Sequence, residues 1–198
     1  HNKSGHRATQ RHRYRFNGSL HLKGIIAGKK KVKIMKIRAG ILTVSDKASR
    51  GERIDEGGPL IAKILKEHFE IESLDQKIVP DEKDLIVSTL KSWIQKGMDL
   101  ILTTGGTGPS PRDVTPEATL EVIDKRYYGL EILMLLEGLK STKTAAFSRA
   151  VVGSRGSTLI INLPGNPKAI VENFPPLIPL IPHLLLEIKG LKGDHESH

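Results

Sequence analysis

The sequence predicts an α/β fold: a three-layer α/β/α arrangement with a mainly parallel central sheet, in a single domain. Three observations predict it. Apolar, β-branched runs at 37–44 and 98–102 suit strands buried on both faces. Segments with apolar residues at helical spacing lie between strands, so strand and helix alternate three times over about eighty residues. Strand ends run into glycine- and proline-bearing loops that open helices.

The first strand, 37–44, leads into the polar loop Ser45-Asp46-Lys47-Ala48-Ser49-Arg50-Gly51, which continues to Gly57-Gly58. Leu60, Ile61, Ile64 and Leu65 then recur at helical spacing, and that helix ends near Phe69. A strand follows over 71–79. Pro80-Asp81-Glu82-Lys83-Asp84 opens a helix with Leu85, Ile86, Leu90, Trp93 and Ile94 on its apolar face, stopped by Gly97. The third strand precedes a helix that starts with Thr115 as N-cap, Pro116 as first helical residue and Glu117 in the first turn.

Residues 130–139 form an apolar helical segment. Strands at 150–152 and 158–162 flank a turn at 153–157, and the second runs into Leu163-Pro164-Gly165-Asn166-Pro167 and a helix from Lys168. The stretch 175–188 is interrupted by prolines and too short to span a bilayer, so it reads as a packed C-terminal helix and no membrane partner is expected. Parallel pairing with right-handed crossovers places helices on both faces of the sheet.

With 198 residues, 38% apolar and 27% charged, the chain suits one globular domain. The expected organisation is a basic arm at 1–36, the α/β domain at 37–190 and a polar tail at 191–198. The formal charge of +9 is unevenly placed, because residues 1–36 hold eleven Lys/Arg and no acid. Removing those eleven from the 31 basic residues leaves 20 against 22 acids, a net of −2 for the rest. The domain therefore carries no nucleic-acid footprint of its own, and only the arm could bind nucleic acid or an anionic membrane. The arm also has the acid-poor composition of a transit peptide. The more economical reading takes Met35-Lys36-Ile37 as the natural beginning and the arm as a leader or over-extended start. The absence of cysteine excludes a disulfide scaffold, thiolate zinc sites and a cysteine nucleophile, and is compatible with the expected cytoplasmic location.

The most informative segment runs from Thr103 to Thr119: Thr-Thr-Gly-Gly-Thr-Gly-Pro-Ser-Pro-Arg-Asp-Val-Thr-Pro-Glu-Ala-Thr. Between strand and helix it holds a glycine-rich loop with one arginine and one aspartate. Glycines let the backbone approach an anion, and amides supply donors. The loop exceeds the ~2–6 residues of a minimal connection, and long loops at strand carboxyl ends are where α/β folds place ligands. A short glycine motif alone is as often only a turn.

Four loops fall at such strand ends: Ser45-Asp46, Pro80-Asp81-Glu82, Gly105 to Asp113, and Pro164 to Pro167. Asp81 and Asp113 stand out, because two carboxylates across a phosphate site could hold Mg²⁺ and offset phosphoryl charge. Each has a plainer alternative. Asp81 could be the N-cap of its helix, and Asp113 could pair with Arg112 or Arg126. Ser45-Asp46 could be a simple turn, and Ser148-Arg149 an ordinary helix end. No histidine shows metal-ligand spacing, no Ser–His–Asp set is discernible, and no Walker lysine follows the glycines.

On the segments Val44-Ser45-Asp46, Pro80-Asp81-Glu82, Thr103 to Thr119, Phe147-Ser148-Arg149 and Gly156 to Pro167, the chain resembles the molybdenum-cofactor biosynthesis family that adenylylates molybdopterin. That family includes bacterial molybdopterin adenylyltransferases and the G domains of plant proteins and gephyrin. The resemblance covers about 37–190 and implies a trimer. It also implies a Mg²⁺-dependent reaction of ATP with molybdopterin giving adenylyl-molybdopterin and pyrophosphate. By the same resemblance Asp81 and Asp113 match acids tied to Mg²⁺ and transfer, and Gly105, Gly106, Thr107 and Gly108 match the loop holding phosphate or nucleotide. Ser148 matches a serine near the molybdopterin site. Gly165 and Asn166 lie in the matching loop tip, and Ser45 and Asp46 in a matching strand tip. Product hand-over to a molybdenum-insertion enzyme is a further expectation. The competing readings are molybdate insertion, a non-catalytic molybdopterin-binding or scaffold module, and a nucleic-acid binder acting through the arm.

Overall fold

The computed structural model describes residues 35–191. All but the last two residues of the basic arm, and the tail from 192 on, lie outside the described residues. Six strands form one sheet: β1 (Lys36–Val44), β2 (Glu70–Val79), β3 (Leu100–Thr104), β4 (Lys125–Arg126), β5 (Val152–Arg155) and β6 (Thr158–Leu163). Their order is β2-β1-β3-β6-β5-β4. The β2-β1, β1-β3 and β3-β6 pairs are parallel, whereas β6-β5 and β5-β4 are antiparallel. The sheet is thus mainly parallel, as its strand sequences predict.

Among the described residues seven α-helices accompany it: α1 (Asp46–Ser49), α2 (Gly57–His68), α3 (Lys83–Gln95), α4 (Thr115–Val122), α5 (Tyr128–Ser141), α6 (Pro167–Asn173) and α7 (Ile181–Ile188). Alternation along the central strands divides the core in two. Ile37, Ala39 and Ile41 of β1, Leu100 and Leu102 of β3, and Leu159 and Ile161 of β6 pack against α2, α5, α6 and α7. Leu42, Ile101 and Ile160 turn to the other face, against Ile86, Leu90 and Trp93 of α3 and Ala118 and Val122 of α4. Each central strand is therefore apolar at successive residues because both of its faces are covered.

Several local expectations change. The polar loop after β1 contains the short helix α1, capped by Ser45, whose Oγ accepts from Ala48 N at 3.2 Å. The expected turn at 153–157 is mostly strand: Arg155 pairs with Thr158, so only Gly156-Ser157 turn the chain. β4, two residues long, carries no strand periodicity. Pro167–Ile188 forms a 22-residue helical stretch, long and apolar enough by length and composition to cross a membrane, and longer than the sequence suggested. Its Ile170, Phe174, Leu177, Ile181 and Leu185 are buried in the core beside α2, whereas Val171 and Leu180 are exposed.

The topology singles out one end of the sheet. From β1 the chain crosses to β2 on one side, then returns past β1 to β3 on the other. Connections thus diverge between β1 and β3, and a crevice opens beyond their carboxyl ends.

Candidate functional site

The crevice is built on close approach of strand tips. Gly105 and Gly106 follow β3 with φ of 94° and 64°, a region that side chains other than glycine rarely adopt. A Cβ on Gly105 would lie 2.2 Å from the Val44 carbonyl oxygen, so the loop can lie across the end of β1 only with glycine there. Gly105 N donates to Leu163 O at 3.3 Å, and Thr104 Oγ1 to Pro164 O at 2.8 Å, joining the β3 and β6 tips. Thr115 is not the N-cap that the sequence suggested; it is the first residue of α4, Val114 holds the cap position, and Thr115 Oγ1 donates to Gly105 O at 2.9 Å. The expected cap instead ties helix to glycine loop.

Arg149 clamps the far side of the loop. Its Nε donates to Gly108 O at 2.8 Å, its Nη2 to Asp113 O at 2.6 Å, and its Nη1 pairs with Glu117. Behind the loop, fully buried Asn162 donates to Thr103 Oγ1 and Thr119 Oγ1, both at 2.9 Å, and accepts from Val151 N at 3.1 Å. This network joins β3, β6, α4 and Val151, the residue that leads into β5.

Two cavities flank the glycine loop. The first, of about 470 Å³, is lined by Ser45, Gly105, Gly106, Gly165, Asn166 and both predicted acids, Asp81 and Asp113. The second, of about 730 Å³, is lined by Thr107, Gly108, Ser148 and Asn166 together with Leu120, Ile132, Met134, Leu135 and Phe147. Asn166 lines both. The structure therefore brings together all but one of the predicted residues as two adjoining chambers. Ser148 belongs to the second and is separated by the loop from the two acids. Asp46 lines neither chamber.

Asp46 instead holds Asp81. Its amide donates to Asp81 Oδ2 at 2.8 Å, and the Asp81 amide donates to Asp46 Oδ1 at 3.0 Å. Arg112 grips the Asp46 carboxylate through Nε at 3.1 Å and Nη2 at 2.8 Å, and also reaches Glu82 at 2.8 Å. Hydrogen bonding to Arg112 holds the Asp46 carboxyl below its ordinary range. Burial pushes Asp81 the other way, upward, helped by the negative charges of Asp46 and Asp113.

Asp81 is not the N-cap of α3. Glu82 occupies that position, without a side-chain cap, which leaves the Asp81 carboxylate facing the first cavity. Asp113 pairs with neither Arg112 nor Arg126. Its Oδ2 accepts from Ser110 N at 2.9 Å, while Arg126 is bound to Glu131.

Sequence reasoning missed the roles of three residues. Asp55 accepts from Gly58 N at 3.1 Å and from Thr43 Oγ1 at 2.8 Å, anchoring the start of α2; an aspartate shortly before Gly57-Gly58 was a capping signal. Arg149 was noticed only within the Phe147-Ser148-Arg149 segment; its clamping role joins residues far apart in the chain and has no local signature. Arg53, a cation lining the first cavity, sits in a polar loop with no periodicity.

Two carboxylates facing one cavity fit Mg²⁺, which commonly takes one or two protein carboxylates and completes its shell with water and substrate phosphate. A resident cage is a different matter, because no group of three or more His, Cys, Asp or Glu able to hold a metal occurs among the described residues.

The chain is similar to several known proteins. Residues 40–183 match the family described as "Probable molybdopterin binding domain". The chain is 44% identical over 162 residues to the molybdenum cofactor synthesis protein cinnamon of Drosophila melanogaster, covering 81% of this chain and 26% of that protein. It thus spans about a quarter of the length of that relative. It is 43% identical over 157 residues to the molybdopterin adenylyltransferase of Helicobacter pylori strain J99, covering 78% of this chain and 89% of that one. Among solved structures, the molybdopterin biosynthesis enzyme MoaB of Thermus thermophilus superimposes with a TM-score of 0.73 at 48% identity, over 78% of this chain and 97% of the other.

Proposed function

Since the chain belongs to the molybdopterin-binding domain family of molybdenum cofactor biosynthesis, we propose that it transfers AMP from ATP to the terminal phosphate of molybdopterin. The products are adenylyl-molybdopterin and pyrophosphate. One observation carries this reading: the Gly105–Gly108 ridge separates a polar chamber bearing Asp81 and Asp113 from a largely apolar one bearing Ser148. A nucleotide's phosphates suit the first, and a flat pterin the second, with their reacting phosphates meeting over the ridge.

The reaction needs two polyanions aligned, and alignment plus charge compensation is the main task of such sites. An oxygen of the molybdopterin phosphate forms a bond to the α-phosphorus of ATP. The bond from that phosphorus to the bridging oxygen breaks, and its electron pair leaves with pyrophosphate. The attacking phosphate is already ionised at neutral pH, so no strong general base is required. Asp81 and Asp113 would hold Mg²⁺, which supplies positive charge against the phosphates when bound. Ridge amides bind and orient phosphate oxygens, and Arg112, through Asp46, fixes the direction of Asp81.

The proposal extends to a homotrimer and to hand-over of the product to a molybdenum-insertion enzyme. Self-association is supported by an apolar stripe on α5, where Tyr128, Ile132 and Leu136 are 61%, 54% and 54% exposed. The transferase reading is tested by incubating the chain with molybdopterin, ATP and Mg²⁺ and following pyrophosphate. Molybdopterin binding without pyrophosphate release would reduce it to a binding module.

A further inference from the structure

The first cavity has a charge problem that Mg²⁺ alone does not resolve. Asp55, Glu56, Asp81 and Asp113 all line it, against the single cation Arg53 among the described residues. A nucleoside triphosphate brings several more negative charges into the same space.

The other arginines of the site are committed. Arg112 is held by Asp46 and Glu82, and Arg149 by Gly108, Asp113 and Glu117. In the same loop as Arg53, Arg50 is gripped by both carboxylate oxygens of Glu52, at 2.8 and 3.0 Å. Arg53 makes no ion pair or side-chain hydrogen bond among the described residues. Its neighbour Ile54 lines the same cavity and is 83% exposed. Residues 53 and 54 thus present to the chamber a cation and an apolar side chain that the protein's own residues leave uncovered.

We infer that Arg53 selects a nucleoside triphosphate over a monophosphate by binding the β- and γ-phosphates, the pair that departs as pyrophosphate. The inference deepens the transferase reading and rests on it. A guanidinium presents a planar fork of donors that matches phosphate oxygens two at a time. It lies in the same chamber as the acids proposed to face the metal-bound phosphate. Negative charge grows on the pyrophosphate oxygen as its bond to the α-phosphorus breaks, so the same contact also favours departure.

Calorimetric titration of the full chain with ATP and with AMP, both in Mg²⁺, tests this on the wild type, Arg53→Ala and Arg53→Lys. Arg53→Ala should weaken ATP about tenfold, the size of one charge-assisted contact, and AMP less than about twofold. Arg53→Lys should recover part of the loss. Equal losses for both nucleotides, or an unchanged ATP affinity, would overturn the inference. Arg53 is exposed and unpaired, so folding should survive, and a melting curve checks it. Pyrophosphate release measured in parallel keeps the two ideas apart. A wild type that discriminates ATP through Arg53 but releases no pyrophosphate refutes the transferase reading alone. Normal turnover combined with unchanged ATP affinity in Arg53→Ala refutes Arg53 alone.

Discussion

Asp46 and Asp81 exchange hydrogen bonds: each backbone amide donates to the other's carboxylate, at 2.8 and 3.0 Å. Two like charges are thereby held together by neutral donors, and Arg112 compensates the outer one. The arrangement aims Asp81 into the cavity and makes Asp46 a positioning residue.

Removing the clamp should therefore impair chemistry at a distance. Arg112→Ala leaves the residues proposed to contact substrate intact but frees Asp46. We expect adenylyl transfer to fall about 10- to 100-fold, the cost typical of losing a partner that orients a metal ligand. Arg112→Lys should rescue little, because a point charge cannot reproduce the two-pronged grip. Steady-state rates at saturating ATP check both.

Asp81→Ala should abolish Mg²⁺-dependent ATP use without weakening α3, since Asp81 does not cap that helix. A melting temperature within about 2 °C of wild type is expected, against the drop that follows loss of a cap worth about 1 kcal/mol. A clear destabilisation would restore a structural role.

Opposite pKa shifts of neighbouring acids give a pH signature. Asp81 is raised above 3.8 by burial and by Asp46 and Asp113, whereas Asp46 is lowered below 3.8 by Arg112. The raised group makes the folded state bind its proton more tightly than the unfolded chain does. Its contribution therefore lowers stability as pH rises from 3.8 through the folded value. Asp46 acts oppositely: its contribution is present above 3.8 and is lost as pH falls through its depressed value. Carbon NMR of the two carboxyls should show Asp81 with the higher midpoint. Mg²⁺ with ATP should move its midpoint downward, because the metal favours the ionised form. Identical midpoints would contradict the geometry.

Asn162 gives a stability prediction. Its side chain satisfies Val151 N, Thr103 Oγ1 and Thr119 Oγ1 inside the core. Asn162→Leu would leave those groups buried without their partner, at a cost of about 3 kcal/mol and roughly 10 °C in Tm. Urea unfolding measures it. A change under about 0.5 kcal/mol would show that the network is replaceable.

The fold was readable because the central strands carry their environment in composition: residues 37–44 and 98–102 are apolar at both parities, which only a two-sided core explains. Gly105, Gly106 and Asp81 were readable because each sits at a strand tip, where chain direction and ligand position coincide, and Asp113 because it is the one acid of the long loop that leaves the β3 tip. The division into two chambers was not readable. It depends on the Gly105–Gly108 ridge passing between Asp113 and Ser148, a relation set by tertiary packing. Asp81 and Thr115 both looked like caps because each stands just before or at a helix start, and in each case a long-range bond took precedence. Arg149 was noticed only as part of the Phe147-Ser148-Arg149 segment, because its contacts to Gly108 and Asp113 are tertiary, and Arg53 lines its cavity from a polar loop with no pattern of its own.

The most direct measurement is product analysis by mass spectrometry after incubating the chain with molybdopterin, ATP and Mg²⁺, beside Asp113→Ala. The wild type should form adenylyl-molybdopterin and pyrophosphate in equal amounts, and only when all three are present. The folded variant should form neither. Equal yields from both proteins, or no adenylylated product from a wild type that binds both substrates, would contradict the account.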